Sequence, residues 1–281
     1  MKHLAIIIVM LLLSNTVISQ DFQGVATYKS QTKFEIKLDS TQVNSAMHEQ
    51  MMEMMKKQFQ KTYKLTFNKE ASIYKEEESL APPQPSGMQV VMIMGGGGGS
   101  DVMYKNTKEN RFVNQNESYS KLFLIKDELK KLDWKLGSET KNIGEYTCYK
   151  ATMTREREVS AMSFSSDEDN EEKNEDKEPE METITITAWY TPQIPVSTGP
   201  GNYYGLPGLI LEVNDGNTTL ICSKIVLNPK DKISITEPTK GKKITQEKYN
   251  EIMEKKMQEM RDRYQHNSGR EGHTMEIRIG G

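Results

Sequence analysis

Methionine and histidine crowd one short stretch of the sequence, where Met47, His48, Met51, Met52, Met54 and Met55 follow one another closely. Thioether sulfur together with imidazole is a soft donor set that suits Cu(I). Met47, His48, Met51, Met52 and Met55 are the ligands such a site would use. A second group, Met253, Met257, Met260, His266, His273 and Met275, lies near the C-terminus. Packing explains the same residues as well. Val43, Met47, Met51, Met55 and Phe59 recur at four-residue spacing, the apolar stripe of an amphipathic helix, and methionine is an adaptable core filler. His48 and Met52 lie off that stripe, which keeps copper as an alternative to core packing. No other cofactor is implied.

Motifs for other chemistries are missing. No histidine stands near a serine or cysteine in a nucleophile motif, and neither GxSxG nor HExxH occurs. The glycine run Gly95–Gly99 is not followed by GKS or GKT, so it does not read as a phosphate loop. Residues 165–182 are dominated by Asp and Glu, opposed only by Lys173 and Lys177, and lack the ligand spacing and central glycine of a calcium loop. A formal net charge of −3 gives no general surface for nucleic acid. Without a nucleophile–base pair, the expectation is a protein that is not an enzyme, with a hydrolase kept as an alternative.

The elements that would position these residues are mostly strands. Lys2 followed by the apolar run Leu4–Leu13 and the small residue Ser19 has the layout of a secretory signal peptide cleaved near Ser19. That run is shorter than the about 20 residues a bilayer span needs, and no later segment could cross. Residues 22–29 and 32–38 alternate apolar and polar as an antiparallel pair. Residues 63–68 and 71–75 form a hairpin about Asn68, Lys69 and Glu70. Residues 101–113 and 118–125 are strands with a turn at 114–117, followed by strands at 134–136, 146–162 and 183–190. Two amphipathic helices are expected, over 41–61 and 244–264, with a loose tail after His266. Residues 76–100, with APPQPSG and the glycine run, and the acidic run 165–182 read as mobile, disordered loops. Cys148 and Cys222 sit in predicted strands. They could form a disulfide worth about 4 kcal/mol, or could be two buried small hydrophobes.

The stretch Trp189–Val213 (WYTPQIPVSTGPGNYYGLPGLILEV) concentrates the backbone constraints. Pro192 and Pro195 cannot donate to a ladder, so the regular strand ends near Tyr190. Leu206-Pro207-Gly208-Leu209 fits a type II turn, residues 209–213 a buried strand, and Asn214-Asp215-Gly216 a hairpin into 218–227. Tyr190, Tyr203 and Tyr204 could line a binding mouth or pack over the sheet end. GLPGLI at 205–210, with AWYTPQIPVSTGP before it and Trp134 and GEYTCYKA (144–151) upstream, resembles the GLPGLI family of exported Bacteroidetes proteins. The motif residues are Trp189, Pro195, Gly199, Pro200, Gly205, Leu206, Pro207, Gly208, Leu209 and Ile210. The resemblance implies β-rich envelope proteins, often associated with TonB-dependent outer-membrane receptors, with no established activity.

The expected fold is mainly β: a single curved antiparallel sheet or open barrel with two amphipathic helices and two disordered loops. The expected division is a signal peptide at 1–19, a β domain at 20–230 and a helical extension at 231–281. The expected function is an exported, non-enzymatic envelope protein that binds an outer-membrane receptor or another envelope protein.

Overall fold

The computed structural model describes residues 22–33, 35–38, 53, 60–77, 101–158, 161–164, 181–231, 233–267 and 275–278. The side chains of 35–38, 158, 161–164, 260–267 and 275–278 lie outside that description. Twelve strands form one open sheet in the order β14-β7-β6-β5-β4-β3-β1-β13-β12-β11-β9-β8. They are β1 (Gln23–Thr32), β3 (Thr62–Asn68), β4 (Ala71–Glu76), β5 (Val102–Asn106), β6 (Arg111–Ser118), β7 (Lys121–Glu128), β8 (Lys135–Ile143), β9 (Tyr146–Glu158), β11 (Met181–Thr191), β12 (Leu209–Asn214), β13 (Thr218–Leu227) and β14 (Lys242–Ile244). A separate three-stranded sheet pairs β2 (Glu35–Leu38) and β10 (Ala161–Phe164) with β15 (Met275–Arg278). Helix α1 (Gln246–Asn267) is the single helix assigned among the described residues.

The expected fold class is corrected on three points. The large sheet is mixed, because β14 runs parallel to β7 after a long connection has carried the chain from β13 to the far edge. It is open, with β14 and β8 at its edges, and it is not the single sheet expected, because three further strands form a second sheet. Among the described residues one helix, α1, stands as a full element where two were expected, and Glu53 is helical. The first predicted helix, with Met47, His48, Met51, Met52 and Met55, falls outside the described residues except for Glu53, Gln60 and Lys61. Most of the two expected loops also falls outside, although Glu76 ends β4 and Met181 and Glu182 begin β11.

Local sequence explains several departures. Residues 22–29 and 32–38 do not pair with each other. β1 is flanked by β3 and β13, and β2 joins the smaller sheet. Asn114–Glu117 lies inside β6, not in a turn. The hairpin reverses instead at Tyr119 and Ser120, with φ of 52° and 57°, the primed-turn geometry that matches strand twist. The polar run misleads because its inward members are not in solvent: Asn116 meets Asp101, Ser118 and Tyr249, and Asn114 lies between Met103 and Ile125 with its Oδ1 buried. Residues 275–278 of the expected loose tail form β15.

Two clusters fill opposite faces of the β11–β12 region. Ile184, Ile186, Ala188, Tyr190, Ile210 and Val213 pack together with Tyr203, Leu206 and Trp134. Leu209 and Leu211 face the other way, onto Ala26, Tyr28, Leu65, Phe67, Ile194 and Val196. Residues 192–208 therefore wrap the end of β11, placing Ile194 and Val196 on one face and Tyr203 and Leu206 on the other. The connection after β13 lies against the β5–β7 part of the sheet. Ile235 packs on Tyr104, Val113 and Leu124, and Glu237 bridges Arg111 and Lys126 at 2.7 Å each. Those two cations hold Glu237 below the usual carboxylate range.

The expected type II turn is not formed. Gly208 N–H donates to the Leu206 carbonyl at 2.9 Å, a three-residue turn about Pro207, while Leu209 N–H donates to Ile194. Gly208 is required by proximity: a Cβ there would lie 2.2 Å from the Thr191 carbonyl oxygen. Gly208→Ala should therefore destabilise the protein by about 1–3 kcal/mol, the range for overpacking a tight site. A urea-unfolding midpoint equal to wild type would show that the two backbones separate freely.

Candidate functional site

Strand register brings one row of inward side chains into line across the sheet. Tyr28 of β1 pairs with Tyr63 of β3, and Tyr63 pairs with Glu76 of β4. Continuing the β4–β5 and β5–β6 registers from Lys75↔Val102↔Gln115 by one step places Asp101 beside Glu76 and Asn116 beside Asp101. Asn116 then pairs with Phe123 of β7. Cross-strand neighbours on one face stand about 5 Å apart at Cβ, so Glu76 and Asp101 form a carboxyl pair.

The two carboxyls have different surroundings. Glu76 accepts from Lys61 Nζ at 3.0 Å. Asp101 accepts from Asn116 Nδ2 at 2.7 Å. Burial lifts the Asp101 carboxyl above its ordinary range; hydrogen bonds from Asn116 and the Glu117 backbone and the Lys61 charge oppose that rise, and the Glu76 charge adds to it. Behind Asn116 stand two hydroxyls. Tyr249 of α1 donates to Asn116 Oδ1 at 2.7 Å, Ser118 Oγ donates to the same oxygen at 2.5 Å, and the hydroxyls lie 2.9 Å apart. Tyr63 stacks on Tyr74 with ring centroids 5.0 Å apart, and burial, then Glu76 and Asp101, push its phenol up to about 12. One burial-raised acid, one ion-paired carboxylate and an oriented amide are the parts of an acid–base site.

Lysine 105 lies two rows away on the same face and is fully buried. Its Nζ donates to the carbonyls of Gly199 and Gly201 at 2.7 Å and of Tyr203 at 3.3 Å. The ammonium also lies 5.9 Å from the Tyr204 ring centroid. Ser72 and Thr198 hydroxyls meet at 2.9 Å beside it. Trp134 Nε1 donates to the Tyr204 carbonyl at 2.8 Å, and Tyr28 OH donates to the Ile210 carbonyl at 2.7 Å. Three elements thus clasp the 192–210 segment by its backbone. Burial pulls the Lys105 amine down to about 7, against the hold of the three carbonyls on its charged form.

Of the residues singled out by sequence, Met47, His48, Met51, Met52 and Met55 lie outside the described residues, and the three tyrosines lie away from the carboxyl row. Tyr190 and Tyr203 are buried in the β11–β12 cluster. Tyr204 donates its hydroxyl to the Lys130 carbonyl. Cys148 and Cys222 are free, buried thiols, pushed up to about 11 mainly by burial. No group of three or more His, Cys, Asp or Glu that could hold a metal occurs among the described residues. Sequence reading passed over Glu76, Asp101, Asn116, Ser118, Tyr249 and Lys105. The one available signal was register: each acid or amide lies at an inward position of its strand, which shows only once the strands are paired.

A family model described as a protein of unknown function (Porph_ging) matches residues 134–212. It begins at Trp134, which holds the Tyr204 carbonyl, and ends at Glu212, which ion-pairs with Lys141 at 2.7 Å. The resemblance to the GLPGLI family is corrected accordingly: the match is to Porph_ging, over part of the chain. No curated protein matches. Two solved structures of PNGF-II, in C2 and P21 space groups, resemble the fold, each with a TM-score of 0.47 and 15% sequence identity. Each match covers 83% of this chain and 33% of the PNGF-II chain, so this chain spans a third of its neighbour's length. The expectation of a purely non-enzymatic binding module is not retained. The likeness is too loose to carry residues or a substrate. Among the described residues no helix is long and apolar enough to cross a membrane.

Lys105→Met would leave three carbonyls without their donor and should lower stability by about 2 kcal/mol or more at neutral pH. Because the folded amine titrates near 7 and the unfolded one near 10.5, the unfolded chain holds the extra proton between those values. Wild-type stability relative to Lys105→Met should therefore grow as pH rises from 7 to about 9.5. Chemical denaturation of both proteins across that range checks the sign, and a constant difference would mean the amine keeps its proton throughout.

Proposed function

We propose that the carboxyl row is the catalytic centre of a hydrolase, with Asp101 as proton donor to the leaving group and Glu76 as the carboxylate that activates water or attacks. The observation that carries this reading is the placement of two carboxyls side by side at the β4–β5 register, Asp101 half-buried and raised by burial, Glu76 ion-paired with Lys61. Opposed environments divide acid from base in this way. Asn116 holds the Asp101 carboxyl in one orientation. Lys61 supplies positive charge beside developing negative charge. The reaction class is cleavage of a bond whose leaving group must be protonated, such as a glycoside or an amide.

The apolar run Leu4–Leu13 supports export, with cleavage near Ser19. An outer-membrane receptor or another envelope protein is then the natural neighbour. N-terminal sequencing of the mature protein tests the cleavage, and a mature chain that retains Met1–Ser19 rejects it.

Asp101→Asn and Glu76→Gln should each reduce hydrolysis of an aryl glycoside and aryl amide panel by about 100-fold or more. Asp101 is raised on folding, so its contribution to stability is present below the ordinary carboxylate pKa of about 4 and is lost as pH rises through its folded value. Asp101→Asn removes that loss and should be at least as stable as wild type at pH 7. Activity unchanged in both variants would exclude this centre, as would no turnover by wild type of any substrate in the panel.

A further inference from the structure

Helix α1 contributes to the site although it follows the sheet in sequence. β14 seats its start: Lys242, Lys243 and Ile244 pair with Phe123, Leu124 and Ile125. Gly241 precedes them at φ +121°, where a Cβ would lie 2.8 Å from the Phe123 carbonyl carbon, so the strand fits closely against β7. Thr245 caps the helix, its Oγ1 accepting from Lys248 N–H at 3.3 Å, and Asp127 Oδ2 accepts from Gln246 N–H at 3.1 Å. These contacts fix Tyr249 on the first turn. Its ring meets Phe123 edge-on at 5.5 Å, and its hydroxyl reaches Asn116.

The hydrogen bonds set the direction of the Asn116 amide. Oδ1 accepts from Tyr249 and Ser118, so Nδ2 is turned toward Asp101. An amide flipped end for end would present oxygen to the Asp101 carboxyl and lose both hydroxyl donors. We infer that Tyr249, acting with Ser118 through Asn116, is a positioning residue for Asp101, so that docking of the β14–α1 segment on β7 completes the acid–base site. This rests on the proposed role of Asp101, but it can fail separately from that role. Tyr249 touches no reacting atom in this scheme. The groups that face Asp101 from the neighbouring elements are Glu76 of β4, Lys61 ahead of β3, Tyr63 of β3 and Tyr249 itself.

The test is a pH titration of the Asp101 carboxyl by carbon-13 NMR in the full chain, in wild type, Tyr249→Phe, Ser118→Ala and Phe123→Leu. Tyr249→Phe keeps the ring on Phe123 and removes only the hydroxyl. It should move the Asp101 midpoint upward by about half a unit or more, about a threefold change in proton affinity, with an unchanged melting temperature. Ser118→Ala should move it in the same direction, which keeps the test open if the first variant fails to fold. Phe123→Leu should lower the melting temperature and leave the midpoint in place. Midpoints unmoved in both hydroxyl variants, or moved only together with loss of fold, would overturn the inference. A moved midpoint in a protein without hydrolytic activity would refute the proposed function alone and leave the positioning role standing.

Discussion

A single buried lysine ties β5 to the segment that wraps the end of β11. Lys105 leaves β5 on one side of the sheet and ends on the carbonyls of Gly199, Gly201 and Tyr203. A lysine at 0% exposure is costly unless every donor is used, and here three carbonyls use them. Those carbonyls belong to a loop that satisfies only part of its own backbone, through bonds such as Tyr203 N–H to the Pro200 carbonyl and Gly205 N–H to the Ser197 carbonyl. The cation and the loop thus depend on each other. Tyr28 and Trp134 fasten the loop at two further points, and the hydrophobic faces to either side keep water from replacing Lys105.

The carboxyl row sits on the same face and benefits from that rigidity. Glu76 and Asp101 stand one step beyond Lys75↔Val102, the last pair of the β4–β5 ladder. Their difference comes from their neighbours, Lys61 on one and the Asn116 amide on the other. Each neighbour is itself fixed by a second contact: Lys61 N–H donates to Ser30 Oγ at 2.9 Å, and Asn116 is held by two hydroxyls. Oriented polar groups with supporting partners are what a catalytic site requires.

Strand alternation made most of the fold legible. Residues 183–190 and 209–213 and the Asn214-Asp215-Gly216 turn appear much as their patterns suggest, since β-branched alternation and positive-φ glycine answer local rules. Hairpin partners were legible, β3 with β4 and β12 with β13, but long-range ones were not, because β1 finds β3 and β13 instead of the adjacent segment. Lys105 could not be found by pattern: a lysine between Tyr104 and Asn106 looks like an outward residue, and only the loop arriving from residues 199–203 makes it an inward one. The carboxyl row was hidden for a similar reason. Asn114–Glu117 has the composition of a turn, and it is a strand because Asn116 meets Asp101 and Tyr249 across sequence separations of 15 and 133 residues.

β1 is paired from Gly24↔Leu227 to Thr32↔Thr218. This gives the chain an order of assembly as it emerges. β1 can take up β3 early, but its other edge stays open until residues 218–227 have been made. Tyr28 likewise waits for Ile210, 182 residues further on. Contacts of such long separation form slowly because loop closure must precede them. The sheet therefore closes around β1 only after residues 218–227 have been made, and until then that edge of β1 is open, its safest partner another segment of the same chain.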